Sequence, residues 1–138
     1  MEPSKFQFIN PYLTELFFTI NPDFDPNTKE AEIEIQNTFH VQINRSSIEN
    51  RANVELTLEI NGENEKAPFK LRLKEASDFK WEDLDEKTVE TMLNYNAPAL
   101  LLGYMRPIVA NITNSSNFPA YNLPFINFKE LFSPGANQ

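Results

Sequence analysis

Two stretches of the chain alternate apolar and polar residues with a period of two. In the first, Ala31, Ile33, Ile35, Phe39, Val41 and Ile43 are apolar, while Glu32, Glu34, Gln36, Thr38, His40 and Gln42 are polar. Successive side chains of a strand point to opposite faces, so the pattern predicts a strand with one dry and one wet face. Ala52, Val54, Leu56, Leu58 and Ile60 repeat it, Asn61-Gly62 opens a polar turn, and Phe69, Leu71 and Leu73 alternate with Lys70, Arg72 and Lys74 on the return. That sequence of signals is a hairpin. Upstream, Phe6 to Ile20 is rich in strand formers but is interrupted at Asn10-Pro11. Proline donates nothing to a ladder, which predicts a bulged or edge strand. The segment NPDFDPNTKE that follows reads as a loop carrying one aromatic residue, Phe24.

After the hairpin the period becomes helical. Asp83, Asp85 and Glu86 stand where the positive end of a helix dipole favours acids, and Val89, Met92 and Leu93 follow at helical spacing. Pro98 suits the first turn of a new helix, whereas Pro107 falls inside it and predicts a kink. From Ala99 to Ile112 the segment is apolar on more than one side, which calls for a second covering surface, most simply another copy of the chain. Asn127 suits an N-cap for one further turn, Phe128 to Phe132, before Pro134-Gly135 stops it. A one-sided sheet needs a cover, and the second half supplies it. The expected fold is therefore α+β, one domain over residues 1–138: a four-stranded antiparallel sheet with a long kinked helix and a short C-terminal helix packed on one face.

Composition removes whole classes of chemistry. With no cysteine and a single histidine, His40, the chain offers neither disulfides, thiolate zinc ligands nor a multi-histidine cluster. No metal or other cofactor is expected. A formal charge of −8 opposes phosphate backbones and acidic lipid surfaces, so nucleic acid is not an expected partner. Acidity serves solubility alone or favours partners with basic segments. No apolar run approaches the roughly 20 residues that span a bilayer, and MEPSKFQF lacks the basic start of a signal peptide, so a cytoplasmic location is expected.

Candidates for catalysis are thin. Glu32 and Glu34 share a strand face, with His40 beside them, but such groups are usually the wet side of a sheet. The serines lack a nucleophile elbow, and Asn111-Ile112-Thr113 matches a glycosylation acceptor relevant only to a secreted chain. The chain is not expected to be an enzyme. What stands out is aromatic residues away from the regular pattern: Phe24, Phe79, Trp81, Phe118, Tyr121 and Phe125. They either plug the edge of the core or form a surface that takes apolar segments without reading their sequence.

Several stretches together resemble the SecB family of protein-export chaperones. They are Phe6-Gln7, Tyr12 to Phe18, Ile33-Glu34-Ile35, Phe79, Pro98, Tyr104 and Arg106, and most densely Phe118-Pro119, Asn122-Leu123, Asn127-Phe128 and Leu131-Phe132. The resemblance implies a sheet packed on a long helix, sheets joined into dimers, and helices sandwiched between two dimers in a homotetramer. It implies an ATP-independent holdase that wraps unfolded precursors in apolar grooves and passes them to the motor SecA. By position, Ile33 and Ile35 would line the groove from the sheet, with Phe24, Tyr121, Leu123 and Phe125 from loops and Phe79 and Trp81 at the element ends. On the outer sheet face Glu15 retains an acid expected to meet SecA, whereas Thr19 replaces a second, and Lys70 and Arg72 carry the wrong sign. Weakened SecA docking follows, since like charges at an interface cost affinity and on-rate. The alternatives are a chaperone dedicated to one antitoxin and an adaptor for one folded partner.

Overall fold

The computed structural model describes residues 5–25, 27–29, 33–116 and 118–132. Four strands, β1 (Phe6–Ile20), β2 (Asn37–Arg45), β3 (Arg51–Ile60) and β4 (Phe69–Trp81), form one sheet in the order β1-β4-β3-β2. All neighbours are antiparallel. β1 is an edge strand, and its register slips between Ile9 and Tyr12, at Asn10-Pro11, and again between Leu13 and Glu15. The break that proline predicted is thus a bulge on an edge, where a missing N–H does least harm.

Two boundaries differ from the alternation. Residues 33–36 keep its in-out burial but lie outside β2, whose first residue, Asn37, pairs with Ile60, the last of β3. Beyond Ile60 the partner strand has turned away, so nothing remains for residues 33–36 to pair with. Asn61 makes that turn at φ 59° and is fully buried. Its backbone N–H donates to Gln36 O at 2.8 Å, its Oδ1 accepts from Gln36 N at 2.9 Å, and its Nδ2 donates to Phe69 O at 3.1 Å. Asparagine tolerates this left-handed backbone and here also replaces a ladder that has ended.

At the other end, β4 runs on to Trp81. Its alternation is disguised because Glu75 and Ser77 take two buried positions, and Ala76 is buried on the opposite face. Phe79 and Trp81 are therefore core residues, 2% and 5% exposed, stacked with Phe6 of β1 at 5.5 and 6.0 Å between ring centroids. They belong to no loop.

The helical layer begins at α1 (Glu86–Thr91), capped by Asp85, whose side chain accepts from Thr88 N at 2.8 Å. A π turn, Met92–Asn96, connects it directly to α2 (Ala97–Ser115). Entered without a break from the π turn, α2 holds Pro98 in its first turn, as expected. Pro98 follows the turn closely. Pro98 has no N–H for the carbonyl of residue 94, and the wider π turn lies just where an α bond would fail. Pro107 lies inside α2 on its exposed side. Leu101, Met105 and Val109 of α2, with Val89 and Leu93 before it, are fully buried with Val54, Leu56 and Leu58 of β3 and Leu71 and Leu73 of β4. Each such side chain contributes about 1.5–3 kcal/mol by leaving water.

α3 (Phe128–Leu131) is capped by Asn127, which accepts from Lys129 N and Glu130 N at 3.1 and 3.3 Å. Phe128 anchors it, 2% exposed and edge-on to Phe39 of β2. Ala31, Glu32, Asn117 and the Pro134-Gly135 stop lie outside the described residues.

Candidate functional site

At one end of the sheet three chain segments diverge and leave a groove of about 880 Å³. One wall comes from the crossover between β1 and β2, with Phe24, Ile33 and Ile35, and the other from the loop after α2, with Phe118 and Tyr121. Phe69, the first residue of β4, also lines it. The lining is mostly apolar: the Phe69 ring is tilted against Phe118 at 5.8 Å between centroids and is backed by Phe18 of β1, stacked on it at 5.6 Å.

Each wall is held by a polar residue. On the crossover side Asn21 donates from its backbone to Pro68 O at 2.9 Å and from Nδ2 to Ala67 O at 3.0 Å, tying the end of β1 to the β3–β4 turn. Asn61 ties residue 36 to the same turn, so both ends of the crossover are fixed. On the helix side the buried Thr113 hydroxyl accepts from Tyr121 N at 2.8 Å and donates to Val109 O at 2.8 Å. The Tyr121 hydroxyl in turn accepts from Asn37 Nδ2 at 2.8 Å. Tyr121 therefore bridges the end of α2 and the start of β2. Thr113 is spent on this bridge inside a helix, which is also the fate of the Asn111-Ile112-Thr113 acceptor motif.

Of the residues expected to meet a client, the structure brings Phe24, Ile33, Ile35 and Tyr121 into this one groove. Phe79 and Trp81 leave the set because they are buried in the sheet core. Leu123 leaves it too: it is 5% exposed, and its carbonyl accepts from Arg106 Nη1 while Pro124 O accepts from Nη2 at 3.1 Å. Arg106 of α2 reaches along the loop and turns Leu123 inward. Phe125 is 86% exposed and outside the groove lining. Phe118 and Phe69 were missed as lining residues. Phe118 stood among the irregular aromatic residues without a place in the groove, and Phe69 read as an ordinary strand position, because nothing local shows that β4 begins at the mouth of a groove.

The outer sheet face is charge-balanced rather than acidic. Glu15 meets Arg72 Nε at 3.2 Å and Lys74 Nζ at 3.5 Å, Arg72 also pairs with Glu59 at 2.5 Å, and Lys70 pairs with Glu65 at 2.8 Å. The hydrogen bond from Lys70 holds the Glu65 carboxyl below its usual range. Lys70 is thus partnered by the β3–β4 turn and Arg72 by neighbouring strands, and Glu15 is shared between two cations.

With this geometry in place, comparison with known proteins is decisive. The model of the family described as preprotein translocase subunit SecB matches residues 2–138. The chain belongs to the SecB family. It is 32% identical over 128 residues to the protein-export protein SecB of Actinobacillus succinogenes, covering 91% of this chain and 70% of that one. It is 29% identical to the SecB of Cellvibrio japonicus, covering 92% of this chain and 76% of the relative. A SecB-like chaperone of Mycobacterium tuberculosis, solved with a ChAD peptide from the HigA1 antitoxin, shares the fold with a TM-score of 0.70 at 14% identity, covering 89% of this chain and 91% of that one. The expected family and fold class are both met.

Proposed function

We propose that this SecB-family chain is an ATP-independent holdase that binds unfolded or precursor polypeptides, in support of protein export. The observation that carries the reading is the groove, an apolar trough of about 880 Å³ walled by Phe24, Ile33, Ile35, Phe69, Phe118 and Tyr121. Aromatic and aliphatic walls bury apolar segments of any sequence. Binding only the unfolded state withdraws it from folding and aggregation by mass action, and several weak contacts along one client add through effective concentration. No step in this mechanism requires a catalytic group.

Two uncovered apolar surfaces favour assembly into a homotetramer. On the exposed side of α2, Tyr104 is 43% exposed and Gly103 has nothing within 4 Å of where a Cβ would stand. On β1, Phe8, Leu13, Leu16 and Phe17 are 42–53% exposed. An apolar helix flank and an apolar edge strand on one chain are surfaces that other copies would cover. Joining protomers would also place several grooves within reach of one client.

The closed ion pairs of the outer sheet face support weak SecA docking, since Glu15 is already engaged by Arg72 and Lys74. A titration against SecA at physiological salt should give binding weaker than micromolar. Tighter binding would remove this part of the reading. No helix among the described residues is long and apolar enough to cross a membrane.

The central test is suppression of aggregation of a chemically denatured model client, without ATP, at equimolar protein. Ile35→Asp and Tyr121→Asp should each reduce protection at least about tenfold while circular dichroism is unchanged, because each places a charge in an apolar contact. Full protection by both variants would refute the groove. A second reading, a chaperone dedicated to one antitoxin, is favoured by the antitoxin peptide bound to the structural relative from Mycobacterium tuberculosis. Copurification from the native cells separates the two: mixed precursors support the general holdase, one antitoxin the dedicated form.

A further inference from the structure

Along the inward face of the segment entering β2, every second residue is half-buried: Ile33, Ile35, Asn37, Phe39, Val41 and Ile43. Five of these are apolar, and Asn37 alone is polar. It stands where the groove meets the sheet, directly after Ile35 in the stripe and in hydrogen-bond contact with the groove residue Tyr121. Its Nδ2 spends one bond on the Tyr121 hydroxyl at 2.8 Å, while its Oδ1 is buried without a partner. Exchanging the two ends of the amide does not cure this, because Tyr121 then donates to Oδ1 and Nδ2 becomes the orphan. One polar atom of Asn37 lacks a partner in either orientation. A buried orphan is costly, and an aliphatic residue here would complete the stripe without that cost.

Resting on the groove reading, we infer that Asn37 is a backbone-reading residue: its unpaired Oδ1 accepts a main-chain N–H from an extended client segment lying along the groove. Apolar walls alone recognise greasy side chains, which folded proteins also display in patches. An unpaired main-chain N–H next to an apolar side chain is a mark of unfolded chain, since more than nine-tenths of buried N–H groups in native proteins are already bonded. Asn37 thus adds a requirement for available backbone to a surface that is otherwise indifferent to sequence. Among the described residues the Tyr121 hydroxyl is tied to Asn37 alone, so a client that displaces the ring would free the Asn37 amide and open its buried oxygen in the same movement.

The probe is an unstructured peptide with a single apolar cluster, compared with analogues in which one cluster amide at a time is replaced by an ester. The ester removes an N–H without adding bulk. At one position the ester should weaken binding to the native protein about fivefold to tenfold, the worth of one hydrogen bond in a dry site. In Asn37→Leu the amide and ester peptides should bind equally. Asn37→Asp keeps an acceptor and should retain the preference for the amide, as should Tyr121→Phe, which keeps the ring. If Asn37 serves only to tether Tyr121, Asn37→Leu weakens both peptides by one factor and leaves the ester penalty intact, which overturns the inference. Binding without any ester penalty overturns it too and leaves the groove standing. Failure of the native protein to bind the amide peptide overturns both.

Discussion

Glu75 sits in β4 with Leu13 of β1 and Leu56 of β3 as its cross-strand partners, and it is 4% exposed. Burial pushes its carboxyl above the usual carboxylate range. A carboxyl whose folded pKa exceeds its unfolded value binds its proton more tightly in the native state, so its charged form opposes folding. The penalty is absent below the unfolded value, grows as pH rises through the interval up to the folded one, and is constant above it. Glu75→Gln should therefore stabilise the protein by about 1 kcal/mol at alkaline pH in urea unfolding, and the gain should shrink as the pH falls through the folded value toward the ordinary carboxylate value. Asn61 behaves in the opposite way. Asn61→Ala loses the side-chain bonds to Gln36 and Phe69 and puts a methyl group at positive φ, so it should cost about 3 kcal/mol, with Asn61→Gly losing only the bonds and costing about 2. Equal costs would show that the backbone is not strained there. Asn61-Gly62 was legible as a turn because turns are local. That Asn61 also fastens residue 36 was not, because the two meet only once β2 and β3 have paired.

Among the elements, those defined by a local period were readable: β1 with its break at Asn10-Pro11, β3, the capped start of α1, and α3 behind Asn127. Asn127→Ala should raise amide exchange over residues 118–132 while leaving β3 and β4 protected, because the cap holds one short helix and the loop leading to it. Uniform acceleration would mean that α3 unfolds only with the whole chain. The elements that escaped did so for a common reason. β4 carries Glu75 and Ser77 on two of its inward positions, so its polarity alternation fades while its geometry continues to Trp81. Residues 33–36 keep the alternation while lacking a partner strand. Hydrophobic periodicity reports which way side chains face, and hydrogen bonding decides where a strand ends; the two need not coincide. The candidate site suffered from this directly, since the faded alternation left Phe79 and Trp81 looking like aromatic residues outside the regular pattern, available to a groove.

At the scale of the molecule, the single protomer leaves apolar surface that its own helices do not reach. α2 packs over β3 and β4, leaving Leu13 and Leu16 of β1 47% and 42% exposed. If the proposed assembly forms, Leu16→Glu should shift it to smaller species in analytical ultracentrifugation with an unchanged circular dichroism spectrum, since the residue contributes little to the protomer core. Tyr104→Glu, on the opposite layer, should do so through a different contact and leave dimers. A native protein that sediments as a monomer would overturn the assembly. The sequence pointed to this through the excess of apolar residues on α2. It did not point to the inner side of β1, because a strand read as an edge does not show which of its residues the helical layer leaves uncovered.

By itself the sequence determined the strands and helices with strong local period, the caps and turns and the one-sided sheet, because these rest on neighbours a few residues apart, and the family, because its motifs recur in order along the chain. Tertiary structure alone decided which large apolar residues are free. Trp81 and Leu123 look no different in sequence from Phe24 and Tyr121, yet a stacked Phe6 and the reach of Arg106 remove the first two from solvent. The lone asparagine in an apolar stripe is visible in the sequence as an interruption. Only the fold shows that it stands beside Tyr121 with one atom unpaired.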